Sequence, residues 1–286
     1  MVNIAVTGLN AGDSPAPGVP VVRSLRERAG FKGRIIGLGY DALESGILDA
    51  GVVDAAYLLP FPSVGKDALL ERILNIHEKE KLDVIIPNLD SELMNFIQIQ
   101  PALEREGIKF LLPTEEQLGR RAKSNLPKLC KELNVKTPAT KVVNDPSTLS
   151  LGKDELPVMV KGLFYESYLA HSHAEAVHFM HKIAGKWGYP VLIQQYIEGE
   201  EFNAAALGDG KGGMDGVACM KKLVLTDNGK GWACVSIKND GLITLAETII
   251  RSLKWAGAME VEAMQSKKDG EFYLIEINPR FPAWIY

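Results

Sequence analysis

Polar side chains interrupt two apolar runs near the end of this 286-residue chain. Glu276 lies within the run 272–277, and Asn278 follows two residues later, so both side chains point to the same face of a strand. Glu262 lies in an earlier apolar run, 259–264. A buried carboxylate is costly unless it is paired or binds a metal. Mg²⁺ in proteins binds carboxylate and amide oxygens and usually binds oxygens of substrate phosphates as well. The pattern therefore predicts a magnesium site.

The segment between the two runs predicts how they meet. Residues 267–270 read Lys-Lys-Asp-Gly, which is typical of a hairpin turn. An antiparallel hairpin places Glu262 opposite Glu276, and two carboxylates at one point are tolerated mainly with a cation between them. Pro279 ends the strand, and Arg280 follows as a fixed cation beside the site. The alternative, a surface hairpin with solvated acids, is disfavoured because the acids interrupt apolar runs instead of alternating with them.

Length, charge and cysteine content limit the protein classes. A chain of 286 residues predicts two or three packed units. The net charge of −4 gives no electrostatic case for binding nucleic acid or an anionic membrane, and no apolar run approaches the roughly 20 residues that span a bilayer. The three scattered cysteines suit reduced thiols, and the N-terminus has no secretory pattern, so we expect a cytoplasmic protein.

The first 118 residues alternate short apolar strands with helices, which predicts a parallel sheet. The expected strands are 2–6, 34–38, 55–59, 84–87 and 109–112, with helices that include 19–29 and 92–105. The glycines after the first strand form neither G-x-G-x-x-G nor a P-loop, which argues against a Rossmann-type oxidoreductase. Asp90 and Glu92 follow a strand, where capping of the next helix and contact with a substrate are equally compatible.

The C-terminal motif resembles the metal-binding end of the ATP-grasp superfamily. It reads Val-Glu in the first strand and Asp-Gly-x-x-Tyr-Leu-Ile-Glu-Ile-Asn-Pro-Arg in the second. Within that superfamily it looks most similar to the branch of carbamoyl-phosphate synthetase large subunits and biotin carboxylases. The resemblance implies that Glu262, Glu276 and Asn278 bind Mg²⁺ or Mn²⁺, and that Arg280 faces the transferring phosphate.

Two lysines lie in further blocks that resemble this family. Lys123 lies in the segment 120–127, which is expected to open a helix that reaches 133. The resemblance implies that Lys123 contacts the nucleotide phosphates, and a surface lysine is the alternative. Lys161 ends the apolar strand 157–161, where a lysine needs an anion such as an ATP phosphate. Relatives continue with a lid rich in glycine and serine. Here residues 163–172 are rich in aromatic side chains instead, so we expect a short or replaced lid.

The segment 191–202 resembles the family's adenine-binding hinge, with a plain edge strand as the alternative. The resemblance assigns the adenine and ribose contacts to Gln194, Gln195, Tyr196, Ile197 and Glu201. Residues 216–225 and 232–238 predict paired strands around the turn at 227–231. Relatives often place another basic residue near the phosphates here, and alternation directs only one of Lys221 and Lys222 inward. We favour Lys222.

The resemblance implies an α/β pre-ATP-grasp domain with a Rossmann-like parallel sheet, followed by an α+β ATP-grasp domain of two subdomains. The expected boundaries are 1–118 for the first domain, 119–190 for the small subdomain and 191–286 for the large one. Relatives carry a further helix and strand after the Asn-Pro-Arg motif, so we expect the large subdomain to be truncated at its C-terminus.

The function that the resemblance implies is an ATP- and Mg²⁺-dependent ligase. Such an enzyme activates a carboxylate as an acyl-phosphate, which an amine or another nucleophile then attacks. Expected partners are these small-molecule substrates, with a homodimer or a companion domain, and neither nucleic acid nor membrane. The alternative is a non-catalytic or regulatory nucleotide-binding relative, which the segment 163–172 favours and the intact acidic motif opposes. The candidate substrate loops, 8–18 and 88–92, contain no pattern that identifies the substrate.

Overall fold

The computed structural model describes residues 1–12, 15–27, 31–163, 166–226 and 231–286. In this part of the chain, three sheets are connected by helices: one parallel sheet of four strands, one antiparallel sheet of four strands and one antiparallel sheet of five strands. Among the described helices, none has both the length and the apolar character required to cross a membrane.

The N-terminal region forms the parallel sheet, with the spatial strand order β3-β2-β1-β4. Its strands are β1 (Asn3–Val6), β2 (Arg34–Gly39), β3 (Ala55–Leu58) and β4 (Val84–Ile86). Its helices are α1 (Gly18–Glu27), α2 (Ser45–Leu48), α3 (Lys66–Glu80) and α4 (Asp90–Arg105). The predicted helix 19–29 corresponds to α1, and its residues 28 and 29 lie outside the described part. Short apolar strands separated by helices give this arrangement because crossover helices cover a parallel sheet.

The prediction of a fifth strand over 109–112 is wrong. Lys109 forms only an isolated parallel bridge with Val84. The chain then leaves the sheet, because Pro113 cannot donate a ladder hydrogen bond and Thr114 caps the next helix. On the way the carbonyl of Leu111 lies against Gly257, where a Cβ atom would be 2.1 Å from the Leu111 oxygen. Gly257 has φ +90°, so both the space and the backbone conformation at this contact require glycine.

The helix expected to open near residue 120 is divided in two. Helix α5 spans Glu115–Arg121 and helix α6 spans Leu126–Leu133. Asn134 follows α6 in the left-handed conformation at φ 53°, which asparagine tolerates. The break between α5 and α6 places Lys123 in a turn, from which its side chain reaches across to the last strand of the chain.

The middle of the chain forms the four-stranded antiparallel sheet, with the order β5-β8-β6-β7. Its strands are β5 (Thr140–Val143), β6 (Val158–Gly162), β7 (Ser167–Ala170) and β8 (Val191–Gln195), and helix α7 (His173–Trp187) packs on it. Strand β8 pairs with β5 and β6, so this sheet extends to 195, beyond the expected subdomain boundary at 190. The division into domains remains a prediction.

The C-terminal region forms the five-stranded antiparallel sheet, with the order β11-β10-β9-β12-β13. Its strands are β9 (Gly199–Asp209), β10 (Met214–Leu225), β11 (Gly231–Ile237), β12 (Ala256–Ser266) and β13 (Phe272–Asn278). The apolar face of helix α8 (Asp240–Leu253) belongs to the same core as β9, β12 and β13, which leaves the opposite sheet face for polar side chains. Most of the predicted turn at 227–231 lies outside the described residues.

The parallel sheet and the five-stranded sheet share one hydrophobic core. Buried side chains on the parallel-sheet side, such as Phe96, belong to the same cluster as Val261 of β12 and Ile249 of α8. Phe281 and Ile285, after the last strand, pack against a second cluster on the N-terminal sheet. The end of β13 is therefore fixed against the N-terminal region, and this junction borders the candidate site.

Candidate functional site

A row of acidic and amide side chains covers one face of the five-stranded sheet. Glu262 pairs directly with Glu276 across β12 and β13, and Glu260 pairs with Asn278. The Asn278 amide donates hydrogen bonds to Glu260 Oε2 at 3.1 Å and to Glu262 Oε1 at 3.0 Å. We call these four residues the acid cluster. Both the hairpin after β12 and the predicted pairing of Glu262 with Glu276 are present.

Strand alternation explains why these acids converge. Side chains at positions two apart share a face, so Glu260 and Glu262 point together while Val261 points into the core. The neighbouring strand β9 adds Asn203, which pairs with Glu262 in register. One sheet face is thus apolar and packed, and the other carries three carboxylates within two adjacent strands.

The carboxylates of the acid cluster disfavour one another's charge. Burial raises the pKa of Glu260, and the neighbouring Glu262 carboxylate raises it further. Burial also raises the pKa of Glu276, where Lys123 opposes the shift and Glu262 adds to it. A bound cation would stabilise the ionised form of each acid.

The oxygen atoms of the acid cluster suit a hard divalent cation that takes only some of its ligands from the protein. Among the residues that the structure describes, no three His, Cys, Asp or Glu side chains are arranged to hold an ion by themselves. Mg²⁺ commonly takes one or two protein carboxylates and completes its octahedron with phosphate and water oxygens. Glu262, Glu276 and the amide of Asn278 provide oxygens of that kind, because rotation of the amide would direct its oxygen to the position its nitrogen occupies here.

Lys222 lies on the same sheet face as the acid cluster. Its amine is 3.0 Å from Glu201 Oε2 and 3.5 Å from Glu262 Oε2. Burial alone would lower the pKa of Lys222, but Glu262 and Glu201 outweigh it and the pKa is raised. Lys221 instead pairs with Glu200 and lies over the ring of Phe202. The structure therefore places Lys222, and not Lys221, beside the acids.

A narrow cleft between the middle sheet and the five-stranded sheet brings the two predicted lysines together. Its empty volume, including the open mouth, is ≈ 310 Å³. The lining residues are Lys123, Leu126, Pro127, Thr137, Thr140, Lys161, Leu192, Gln194, Ile275 and Glu276. The Lys123 amine is 3.4 Å from Glu276 Oε1. Burial lowers the pKa of Lys161, and the Glu276 carboxylate opposes that shift.

The predicted adenine hinge crosses from β8 to β9 at the edge of this cleft. The buried Gln194 side chain donates to Thr140 Oγ1 at 3.0 Å. The backbone N–H of Gln195 donates to the Ala139 carbonyl at 2.8 Å, so any ligand contact from its backbone must use the carbonyl. Tyr196 is half-exposed and Ile197 is buried. Within the described residues, the Ile197 N–H donates no hydrogen bond.

Arg280 lies at the far end of the acid cluster, with a second arginine that the sequence analysis did not select. Arg280 Nε is 3.2 Å from Asp90 Oδ2, and its NH1 is 3.6 Å from Glu260 Oε2. Arg121 NH2 is 3.6 Å from Asp90 Oδ1, and its NH1 donates to the Ile277 carbonyl at 3.2 Å. Position 121 lies two residues before Lys123, which is the signal that could have identified it.

Two roles were compatible with Asp90 and Glu92, capping of the next helix and contact with a substrate. Glu92 has the capping role, whereas Asp90 faces the candidate site. Glu92 is fully buried and accepts hydrogen bonds from the hydroxyls of Thr7 and Tyr40 and from the N–H groups of Asn88 and Leu89. These contacts cap helix α4 and connect it to β1 and β2. Burial raises the pKa of Glu92, and the hydrogen bonds oppose that shift.

The sequence analysis also did not select Glu260 or the residues that donate hydrogen bonds to it. It accepts hydrogen bonds from Asn203 at 2.8 Å and from the Trp284 indole at 2.7 Å, both at Oε1. The signal was present, because Glu260 lies two residues before Glu262 in the same apolar run. Its contact with Trp284 connects the acid cluster to the segment that follows β13.

A comparison with protein families matches residues 123–283 to the ATP-grasp domain. A carbamoyl phosphate synthase large chain from Thermoanaerobacter sp. (strain X514) is 25% identical over 228 residues, which covers 74% of this chain and 21% of the relative. The chain therefore spans about a fifth of the length of such curated relatives.

Solved structures share the fold at low sequence identity. An L-amino acid ligase from Bacillus licheniformis superposes with a TM-score of 0.72 at 16% identity, covering 98% of this chain and 67% of that one. The biotin carboxylase domain dimer of the Hydrogenobacter thermophilus 2-oxoglutarate carboxylase, in complex with MgADP, ADP and bicarbonate, gives a TM-score of 0.71 at 18% identity, covering 99% and 64%. The expected similarity to carbamoyl-phosphate synthetases and biotin carboxylases is confirmed.

Proposed function

The chain belongs to the ATP-grasp family, because the ATP-grasp domain matches residues 123–283, and from this premise we propose that it is an ATP- and Mg²⁺-dependent ligase. It activates a carboxylate as an acyl-phosphate, which an amine or another nucleophile then attacks. The observation that carries the proposal is that one carboxylate of the acid cluster, Glu276, shares a cleft with Lys123 and Lys161.

The nucleotide lies between the middle sheet and the five-stranded sheet. Gln194, Tyr196, the Gln195 carbonyl and the Ile197 N–H surround the adenine, and Glu201 accepts from the ribose, in a site of apolar walls with few fixed polar groups. The phosphates extend toward Lys123, Lys161 and Lys222, whose amines provide point charges for them. A relative crystallised with MgADP supports this choice of ligand.

Magnesium, when held by Glu262, Glu276 and Asn278, would neutralise the negative charge of the phosphates. The residues of the chain then act by position and charge. Lys161 and Lys123 stabilise the charge that develops on the transferred phosphoryl group, and Arg280 does so from the other end of the acid cluster. The attack of the carboxylate on phosphorus requires no general base, because a carboxylate is already ionised near neutral pH.

The reaction balances without any further reactant. An oxygen of the substrate carboxylate attacks the γ-phosphorus of ATP, the bond from that phosphorus to the bridging oxygen breaks, and ADP leaves. The nucleophile then attacks the acyl carbon, and phosphate leaves with the carboxylate oxygen. An amine nucleophile loses a proton in this step, and the proton passes to water. The relatives named as a carbamoyl phosphate synthase and an L-amino acid ligase support this class of reaction.

We also propose the domain organisation and setting that the sequence predicts. Residues 1–118 act as a pre-ATP-grasp domain, 119–190 as the small subdomain and 191–286 as the large subdomain. The partners are a small-molecule carboxylate and a nucleophile, and the protein is cytoplasmic. A homodimer is supported by the dimeric biotin carboxylase domain.

The second candidate is a non-catalytic nucleotide-binding protein. It is favoured by the connection between β6 and β7, which spans only 163–166 and ends with a hydrogen bond from Gly162 N–H to the Glu166 carbonyl at 3.1 Å. Residues 164 and 165 lie outside the described part. So short a connection provides few backbone N–H groups to enclose phosphates.

Oxygen transfer distinguishes the two candidates. The protein is incubated with ATP, Mg²⁺, pools of ¹⁸O-labelled carboxylates and pools of amines, and the released phosphate is examined by mass spectrometry. A ligase transfers one labelled oxygen to phosphate, in proportion to the amide formed. Glu276→Gln should abolish the transfer, and Glu271→Gln, on the exposed turn before the same strand, should not. Binding of MgATP, seen as thermal stabilisation, without labelled phosphate from any pool would support the non-catalytic alternative.

A further inference from the structure

Asp90 bridges two arginines at the edge of the candidate site. Its two carboxylate oxygens face different guanidinium groups, with Oδ2 at 3.2 Å from Arg280 Nε and Oδ1 at 3.6 Å from Arg121 NH2. The Asp90 side chain is 44% exposed, whereas those of Arg280 and Arg121 are 23% and 21% exposed. The acid therefore lies on the solvent side of two more deeply set cations.

The backbone holds Arg121 in place independently of Asp90. Its NH1 donates to the carbonyl of Ile277, the residue between Glu276 and Asn278. The Nε–H of Arg121 is shielded from solvent and has no acceptor among the described residues. A buried donor without a partner is uncommon in a native fold and calls for an explanation. The guanidinium thus keeps unused donor capacity beside the acid cluster.

We infer that Arg121 and Arg280 together bind the carboxylate of the substrate, and that Asp90 occupies this position as an internal carboxylate until the substrate displaces it. The inference rests on the proposed function and identifies which groups orient the attacking carboxylate. Guanidinium groups suit this task because their planar donors match the two oxygens of a carboxylate or of a phosphate.

Displacement of Asp90 requires little free energy. An ion pair as exposed as this one contributes at most about 1 kcal/mol, because solvent screens it. Asp90 is also the first residue of α4, where an acid that has turned to solvent still benefits from the helix dipole. The arginines, in contrast, keep their contacts with the Ile277 and Phe281 carbonyls.

The same geometry could serve only as a structural latch between α4 and the end of β13, and a binding measurement separates the two roles. The probes are acetate and inorganic phosphate, titrated by calorimetry at low ionic strength with no nucleotide present. Asp90→Asn removes the competing charge and keeps the shape of the side chain. We expect it to bind both probes roughly fivefold more tightly than the wild type.

Two further variants complete the test. Arg121→Gln in the Asp90→Asn background should lose the gain in probe affinity. Asp67→Asn, which removes an exposed acid from the first turn of α3, should leave probe affinity at the wild-type value. Unchanged or weaker probe binding by Asp90→Asn would overturn the inference and identify the cluster as a latch.

The binding result does not depend on catalysis, because the titration contains no ATP. If no carboxylate pool yields labelled phosphate but Asp90→Asn gains affinity for acetate, the proposed ligase activity is wrong and the anion site stands. If turnover is found, Asp90→Asn should also lower the KM for the carboxylate and leave the KM for ATP unchanged. Equal changes in both KM values would contradict the assignment.

Discussion

Two groups of acidic side chains in this molecule, one buried and the other mostly half-buried, differ in how their charge is compensated. At the N-terminal sheet, Glu92 is a single carboxylate that accepts from two hydroxyls and two backbone N–H groups. On the five-stranded sheet, Glu260, Glu262 and Glu276 lie side by side and are balanced by lysines and arginines from elements outside β12 and β13. The first cluster is satisfied within the fold, and the second depends on cations.

This difference separates a structural acid from a functional one. A carboxylate surrounded by neutral donors stabilises the fold and has no capacity left for a ligand. Adjacent carboxylates repel one another, so the fold tolerates them at some cost in stability, and a bound cation relieves that cost. Substitutions in the two clusters should therefore have opposite consequences for stability and for activity.

The largest expected effect is on turnover, in the acid cluster. Glu276→Gln removes one of the two directly paired carboxylates and should reduce turnover by roughly 10³-fold, equivalent to about 4 kcal/mol of transition-state stabilisation. The unfolding temperature should stay the same or rise, because the burial cost of this carboxylate and its repulsion from Glu262 are removed together with its attraction to Lys123. The oxygen-transfer assay and a thermal melt measure the two quantities.

The matched control for this prediction is Glu271→Gln, an exposed acid just before β13. It should keep wild-type turnover and stability. If Glu276→Gln unfolds the protein instead of inactivating it, the acid cluster is structural, and the contrast with Glu92 disappears.

The next effect is on stability, in the N-terminal cluster. Glu92→Ala leaves the hydroxyls of Thr7 and Tyr40 and two backbone N–H groups without their acceptor, which should reduce the free energy of unfolding by about 3 kcal/mol. Urea denaturation measures the loss, with Gln98→Ala at an exposed position of the same helix as the control. A loss below that of Gln98→Ala would show that the Glu92 network does not stabilise the fold.

The sequence predicted three members of the acid cluster, Glu262, Glu276 and Asn278, because their signal is local. Alternation within β12 and β13 and a hairpin turn determine that Glu262 pairs with Glu276, and no distant contact is needed. The break between α5 and α6 was not predicted, because the helix-forming residues around Lys123 give no sign that the amine must reach β13. The strand expected at 109–112 does not form partly for a local reason, because Pro113 cannot donate a ladder hydrogen bond. The contact between Leu111 and Gly257 joins distant parts of the chain, so motif spacing does not predict it.

Several contacts that the sequence did not reveal join distant parts of the chain. Asp90 and Arg280 are 190 positions apart, and Arg121 contacts the carbonyl of Ile277 from 156 positions away. Motif spacing carries no information on such pairs. Of the two acids that were equally compatible with capping and substrate contact, only the tertiary structure shows that Glu92 points inward and Asp90 points to the arginines.

The smallest expected effect is on stability and concerns Lys161, a cation that we place in the proposed phosphate site and not among the structural residues. Burial lowers its pKa, so the unfolded chain binds more protons than the folded one between that lowered pKa and the ordinary lysine value of about 10.4. Stability therefore rises with pH in this window, and below it the charged amine carries its full burial cost. Lys161→Met removes this cost, and Lys123 remains 3.4 Å from Glu276.

We expect Lys161→Met to be more stable than the wild type by roughly 1 kcal/mol at neutral pH, a size typical of single substitutions. The advantage should shrink as the pH approaches 10, and MgATP should no longer raise the melting temperature as it does in the wild type. Lys153→Met, at an exposed position of the same region, should change neither property. If Lys161→Met is instead destabilised at neutral pH, the amine is satisfied by protein groups as Glu92 is, and Lys161 belongs with the structural residues and not with the phosphate site.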